Sequence, residues 1–398
     1  MPERIAPLAI TACSATSALG RGLAAHLDAL RNARGGLIEN DFSPTPLECR
    51  IGRVTGIEDS ALPAELVHWD CRNNRLAWIG LQQDGLLDAI AASIARHGAT
   101  RVALVLGTST ASIGSTEDAY RRLDHGHFPA DLRRPEIHTP HSLAAFVADA
   151  TGIAGPALTI STACSSSAKV FASAERLIRL GIVDAALVGG VDTLCDSVLF
   201  GFHSLELVST QACRPFDVHR DGISIGEAAC FALLERIEAA PRASRLLGHG
   251  ESSDAYHMST PHPEGRGAHA ALDDALARAG IDAGAVDYVN LHGTATSKND
   301  EVEAKVLPRF DARTRASSTK GFTGHTLGAA GALEAVVTLL AIEHGIVPPN
   351  LSCSEPMPEA APWLALQPAE RRIDVAVSNS FGFGGNNACL VFGRGESA

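Results

Sequence analysis

The chain has 398 residues, 45% of them hydrophobic and 20% charged, with a formal net charge of −12. That balance excludes a disordered chain and a general nucleic-acid binder, since the apolar fraction can fill a large core and no Lys/Arg block offsets the acidity. The length allows one large domain or two of medium size.

At the N-terminus, MPERIAPLAI carries charges at Glu3 and Arg4 with no long apolar run behind them, unlike a signal peptide. Nine cysteines, at 13, 49, 71, 164, 195, 213, 230, 353 and 389, are scattered without a CxxC pair. They match neither a disulfide framework nor a zinc site, and the expectation is a reducing cytoplasm with no metal. Short apolar strands, RVALVLGTS, PALTIST, DAALVGGVD, DYVNLHGT and DVAVSNSFG, alternate with longer amphipathic helices. This alternation predicts an α/β fold with buried strands. The pattern breaks in ERIEAAPRASR, where Pro241 follows a strand-like run, so we divide the chain into halves 1–240 and 241–398. The apolar segment AGALEAVVTLLAIEHGI is interrupted by Glu334 and Glu343 and reads as too short to cross a bilayer.

Leading into TISTACSSSAKV, Leu158 and Ile160 alternate with Thr159 and Ser161 as in a buried strand. Val170, Ala174 and Leu177 then recur at helical spacing until Gly181. Cys164 therefore falls where a strand turns into a helix. The unpaired N–H groups and partial positive charge of a helix N-terminus favour a thiolate. This predicts a thiol pKa well below the free value of about 8.5 and a nucleophile near neutral pH. The competing reading is a small buried core residue.

Further along, NLHGTATSKNDEVEAK places His292 at a strand end, SSTKGFTGHTLGAAGALEA places Lys320 five residues before His325, and NSFGFGGNNA forms a turn through Gly382, Gly384 and Gly385. Singly, each has an ordinary structural explanation: a satisfied histidine, or plain turn chemistry. The turn also lacks the GK[ST] of a phosphate loop.

In this order and at these separations, TACSSSA, HGTAT, KGFTGHTLGAAGALEA and NSFGFGGNNACLVFG closely resemble the β-ketoacyl-acyl carrier protein synthases, the decarboxylating condensing enzymes of fatty-acid and polyketide synthesis. RPFDVHRDGISIGEAACFALLE and SSDAYHMSTPHPEG extend the resemblance over nearly the whole chain. It implies a thiolase-like duplicated five-layer α-β-α-β-α fold. It also implies a decarboxylative Claisen condensation between an acyl group held on Cys164 and a malonyl thioester. His292 and His325 match the family's two active-site histidines, which would donate to the developing enolate oxygen. Lys320 matches its active-site lysine, holding or polarising the His325 region, with Glu303 as a nearby acidic partner. The backbone N–H groups of Cys164 and Phe383 would form the oxyanion hole. Thr294 and Thr296 match contacts to a phosphopantetheine arm, and Phe383 matches a gate beside the nucleophile.

The resemblance further implies no bound cofactor, an acyl carrier protein as partner, and a homodimer or a heterodimer with a related subunit. Neither a nucleic-acid nor a membrane partner is expected. Carrier proteins are acidic, so a local basic surface is expected, with Arg72, Arg75, Arg121, Arg122 and Arg214 as candidates. Several positions depart from the family pattern: Ser297, Lys298 and Asn299 replace proline, a variable residue and glycine, and Asn386 replaces threonine. These changes suggest a specialised synthase, of a polyketide or aryl polyene pathway, over housekeeping fatty-acid elongation. Two other classes compete, a non-catalytic or regulatory partner subunit of a ketosynthase heterodimer, and a Cys–His hydrolase or acyltransferase. The retained cysteine and histidines count against the first. The second has no need of two histidines and a lysine.

Overall fold

A computed structural model describes residues 3–396. Ten main strands carry the fold: β1 (Leu8–Ser17), β2 (Val102–Gly107), β3 (Ala157–Ile160), β4 (Ala185–Asp192), β5 (Ala228–Arg236), β6 (Arg245–Ser253), β7 (Tyr288–Asn290), β8 (Arg315–Ser317), β9 (Val375–Gly382) and β10 (Asn386–Gly393). They join one sheet in the order β8-β7-β9-β10-β6-β1-β5-β4-β2-β3. Read outward from the central β1/β6 pair, each half has the same order, first-fifth-fourth-second-third. In both halves the first two pairings are antiparallel and the last two parallel. The halves meet through the antiparallel pairs Leu8–Leu246 and Ala9–Arg245.

Alternation along the strands explains the layers. In β2, Ala103 and Val105 face a core shared with Val170, Phe171, Leu339 and Ile342 of the helices Ser166–Arg179 and Ala330–His344. Leu104 and Leu106 face an outer core with Leu76 and Phe146 of the helices Arg72–Leu81 and Ser142–Thr151. In β10, Leu390 and Phe392 face the shared core, while Cys389 and Val391 face an outer core built on Arg266–Ala279. Two central helices thus lie between two half-sheets, each covered outside by further helices, which is the duplicated five-layer arrangement expected. Strands buried on both faces read as continuous apolar runs, as VALVLG does.

Two expectations are corrected here. The strand carrying Leu158 is not fully buried: β3 is an edge of the sheet, and Leu158 is 42% exposed. The apolar run through Glu334 is not too short to cross a bilayer, since Leu327–His344 is long and apolar enough by length and composition. Its apolarity instead fills the protein's own core, 89% of the segment being buried.

Candidate active site

The nucleophile turn is built by its own serines. After β3 the chain passes through Ala163 at φ +53°, a left-handed conformation that a residue with a Cβ adopts only when its surroundings hold it there. Ser165 Oγ donates to the Thr162 carbonyl at 3.0 Å. Ser166 Oγ accepts from the Thr162 N–H at 2.9 Å and donates to the Ala163 carbonyl at 2.6 Å. Ser167 Oγ accepts from the Ala332 N–H at 2.8 Å, tying this turn to the other half. Cys164 emerges two residues ahead of the helix Ser166–Arg179, buried at 6% exposure.

Both histidines converge on it. His292 follows β7 and His325 precedes the helix Ala330–His344, and the Cys164 sulfur and a nitrogen of each ring lie within 4.8 Å of one another. The rings meet edge to face, with centroids 5.4 Å apart. The Leu327 N–H donates to His325 Nδ1 at 3.0 Å, so the ring proton sits on Nε2, which is buried with no protein partner. The Lys320 ammonium, which can only donate, lies 3.4 Å from His292 Nδ1, placing that proton on Nε2 as well. Such proton positions count against a metal at this cluster. A metal-bound imidazole presents a bare nitrogen to the ion and donates from the other one, the reverse of this pattern.

Burial first, then Lys320 and His325, hold His292 well below the ordinary imidazole range; burial and Lys320 do the same to His325. Both rings are neutral at neutral pH. Burial also pushes the Cys164 thiol up to about 11, against the opposing pull of Lys320 and of the Phe383 N–H. The sequence-based expectation of a lowered thiol pKa is therefore corrected: desolvation outweighs the helix N-terminus, and Cys164 rests as a thiol.

Lys320 acts on the His325 ring through its charge, and its backbone carbonyl accepts from the Gly324 N–H, next to His325, at 2.8 Å. Its ammonium reaches the His292 carbonyl oxygen at 2.5 Å and forms a closer ion pair with Glu334. The Glu303 carboxylate accepts from the N–H groups of His292 at 2.8 Å and Gly293 at 2.7 Å, and from Asn379 Nδ2 at 3.2 Å. Burial lifts its pKa to about 7 against those amides. Glu334 was missed as a site residue. The available signal was a carboxylate in the middle of an otherwise apolar helix, which burial makes untenable without a cation.

The glycine-rich turn presses onto the nucleophile segment. A Cβ on Gly382 would lie 2.9 Å from the Thr162 carbonyl oxygen and 3.2 Å from Ser165 N, and Gly384 has φ +75°. This close approach brings the N–H of Phe383 to the Cys164 sulfur, which also feels its own N–H. The Phe383 ring packs against Phe202 at 5.6 Å between centroids. Asn386, which departs from the family pattern, has a partner of its own: Lys169 Nζ, from the nucleophile helix, donates to its Oδ1 at 3.3 Å.

One cavity of about 360 Å³ is lined by Cys164, His292, His325, Thr294, Thr296 and Phe383. Lys320 and Glu303 stand behind it, buried. Ser297, Lys298 and Asn299 line it too, so one cluster of departures from the family pattern sits on the cavity wall. Thr294 Oγ1 and Thr296 Oγ1 are 2.9 Å apart.

None of the five arginines lines this cavity, while Arg72 and Arg121 share a second one, and one correction follows. Arg72 is half-buried, its side chain 17% exposed, and chelated by Glu227 at 2.7 and 2.9 Å, with Glu58 on its other nitrogen, so its charge is already met within the protein. Arg75 is forked onto Asp70 at 2.5 and 2.6 Å. Arg121 pairs with Asp196 at 2.5 Å and Arg122 with Asp131 at 3.0 Å, each half exposed, while Arg214 is half-buried with Nε lacking a partner.

Comparison with known proteins agrees with this geometry. A 3-oxoacyl-acyl-carrier-protein synthase 2 of Rhizobium meliloti is 41% identical over 258 residues, 60% of this chain and 61% of that protein's length. Nodulation protein E of the same organism is 34% identical over 366 residues, 85% of this chain and 88% of that protein. A structure of the ketosynthase ApeO in complex with its chain length factor ApeC, from Xenorhabdus doucetiae, matches with a TM-score of 0.90 at 40% identity, over 98% of both chains. The ishigamide ketosynthase/chain length factor matches with a TM-score of 0.89 at 26% identity, over 98% of this chain and 100% of that one. Residues 6–240 match the β-ketoacyl synthase N-terminal domain and residues 243–354 its C-terminal domain. The chain belongs to the β-ketoacyl synthase family.

Proposed function

We propose that the protein extends an acyl chain by decarboxylative condensation, with Cys164 carrying the acyl group. The observation that carries this reading is the convergence of the Cys164 thiol with two neutral imidazoles on one buried cavity. In the first half-reaction the Cys164 sulfur attacks the acyl thioester carbon. The tetrahedral oxygen is met by the N–H groups of Cys164 and Phe383, and the thiol proton leaves with the departing pantetheine sulfur. Since the resting group is a thiol, the thiolate is formed only transiently.

In the second half-reaction a malonyl thioester loses carbon dioxide. His292 and His325, each carrying its proton on Nε2, donate to the enolate oxygen that develops. The enolate carbon attacks the acyl carbonyl, the Cys164 sulfur leaves and takes up a proton, and the β-ketoacyl product departs on the carrier. Lys320 fixes His292 by its carbonyl and ring, and Glu303 clamps the His292–Gly293 turn. Thr294 and Thr296 line the path for a phosphopantetheine arm, with Phe383 as gate. No further cofactor is required by these steps.

The substrates are carried on an acyl carrier protein, as the names of the relatives indicate for those proteins. Arg75, Arg121, Arg122 and Arg214 are the docking candidates left after Arg72 is set aside. A second ketosynthase-like subunit is the expected partner, because matched structures pair a ketosynthase with a chain length factor. The altered Ser297–Asn299 wall favours a specialised pathway. Nine free cysteines suit a reducing cytoplasm. Peptide mapping after incubation with an acyl-carrier protein tests the reading: the acyl mass belongs on Cys164, and an adduct on another cysteine overturns it.

A further inference from the structure

The turn that sets the proton on His325 is itself held from the opposite half of the molecule. We propose that Ser109, oriented by Asp192, is a positioning residue for His325, fixing the turn whose Leu327 N–H keeps the ring proton on Nε2. This rests on the reading that His325 donates to the enolate oxygen.

The chain of contacts is continuous. Leu327 has φ +56°, a left-handed conformation that a branched residue keeps only under constraint. The next residue supplies that constraint: the Gly328 N–H donates to Ser109 Oγ at 3.1 Å. Ser109 Oγ in turn donates to Asp192 Oδ2 at 2.9 Å. Asp192, fully buried at the end of β4, also accepts from the Thr110 N–H at 2.8 Å and from the hydroxyls of Thr108 and Thr110, both at 2.6 Å. Its charge is thus met by a set of hydroxyl and amide donors that locks the segment after β2 in one geometry. The contact between the halves is close. A Cβ on Gly328 would lie 2.7 Å from Asp192 Oδ2 and 2.8 Å from Ser109 N, so only glycine fits there.

Loss of the Ser109 hydroxyl leaves the Gly328 N–H without its acceptor and releases the turn. Leu327 then relaxes from its left-handed conformation and its N–H swings off Nδ1. The ring becomes free to move its proton to Nδ1, and a bare Nε2 cannot donate to an enolate. Cys164 acylation uses none of these contacts. A fault here therefore separates the two half-reactions, which general damage to the fold would not.

The test compares wild type, Ser109→Ala and Ser109→Thr. Three readouts are used: acylation of Cys164 by mass, decarboxylation of a malonyl thioester, and the ring-nitrogen chemical shifts of His325, assigned by difference against His325→Gln. We expect Ser109→Ala to acylate at the wild-type rate, to lose about 10–100-fold in decarboxylation, the scale of a small misplacement of a catalytic group, and to show His325 averaging between tautomers. Ser109→Thr, which keeps the hydroxyl, restores both. A single Nε2-protonated tautomer with undiminished decarboxylation in Ser109→Ala overturns the proposal. So does an equal loss of acylation and decarboxylation. If the wild-type protein decarboxylates no malonyl thioester, the functional reading fails, while the tautomer comparison still decides the role of Ser109.

Discussion

The ammonium of Lys320 and the carboxylate of Glu334 form an ion pair in which each side chain is only 3% exposed. Through the same ammonium the pair holds the carbonyl of His292 and faces its ring, so a buried charge pair sits directly behind an imidazole that lines the cavity. Removing one partner strands the other as an uncompensated buried charge. Lys320→Ala and Glu334→Ala should each lower stability by about 3–5 kcal/mol, and the apolar double variant Lys320→Met/Glu334→Leu should lose less than either. Denaturant titration of the four proteins decides this; single losses below about 1 kcal/mol, the range of a surface pair, would refute it.

His292→Ala and His325→Ala separate the half-reactions. Each removes one donor to the enolate oxygen, so malonyl decarboxylation should fall by about a hundredfold or more while Cys164 is still acylated. Single-turnover acylation and carbon dioxide release, measured on the same preparations, check this. Severe loss of acylation with decarboxylation intact would reverse the assignment.

With the Cys164 thiol pushed up to about 11, its alkylation by iodoacetamide in the substrate-free protein should climb by about tenfold per pH unit from pH 7 to pH 9. Peptide mapping isolates Cys164 from the other cysteines. A rate that is already level at neutral pH would mean a resting thiolate and would restore the sequence-based expectation.

Burial holds His292 and His325, which line the cavity, below the ordinary 6.5. As pH falls, the unfolded chain takes up protons at these rings before the folded one does, so their contribution to stability is intact above about pH 6.5 and is lost on acidification. Thermal midpoints across pH should therefore fall more steeply for wild type than for the double variant His292→Gln/His325→Gln. In Glu303→Gln, which removes the carboxyl lifted to about 7 beside the His292–Gly293 turn, malonyl decarboxylation should hold level from about pH 8 to about pH 6. A titration of activity centred near 6.5 in that variant would contradict neutral, buried rings.

Cys164, His292, His325 and Lys320 could be read from the sequence because each lies in a short segment whose order and spacing are specific, and the alternation of strands and helices disclosed the α/β class. What escaped was what tertiary packing decides. Glu334 registered only as an interruption in an apolar helix, because its cation, in the same segment, lies on the separate short helix Lys320–Thr323 and only the turn between the two helices brings them together. Arg72 looked like a surface charge one turn from Arg75, yet its carboxylate partner, Glu227, is 155 residues away. The thiol pKa was misjudged because a helix N-terminus can be placed from sequence, whereas the desolvation opposing it depends on everything packed around the sulfur. Leu158 alternates like a core strand, but nothing local says that its strand ends the sheet.

The most direct test of the central claim is to mix the protein, with a candidate ketosynthase-like partner where one is needed, with malonyl-carrier protein and a panel of acyl-carrier proteins, and to weigh the carrier-bound products. The account predicts a β-ketoacyl product two carbons longer than the acyl group supplied, formed by wild type and absent with Cys164→Ala. Release of free acid without extension, or extension that survives Cys164→Ala, would contradict it.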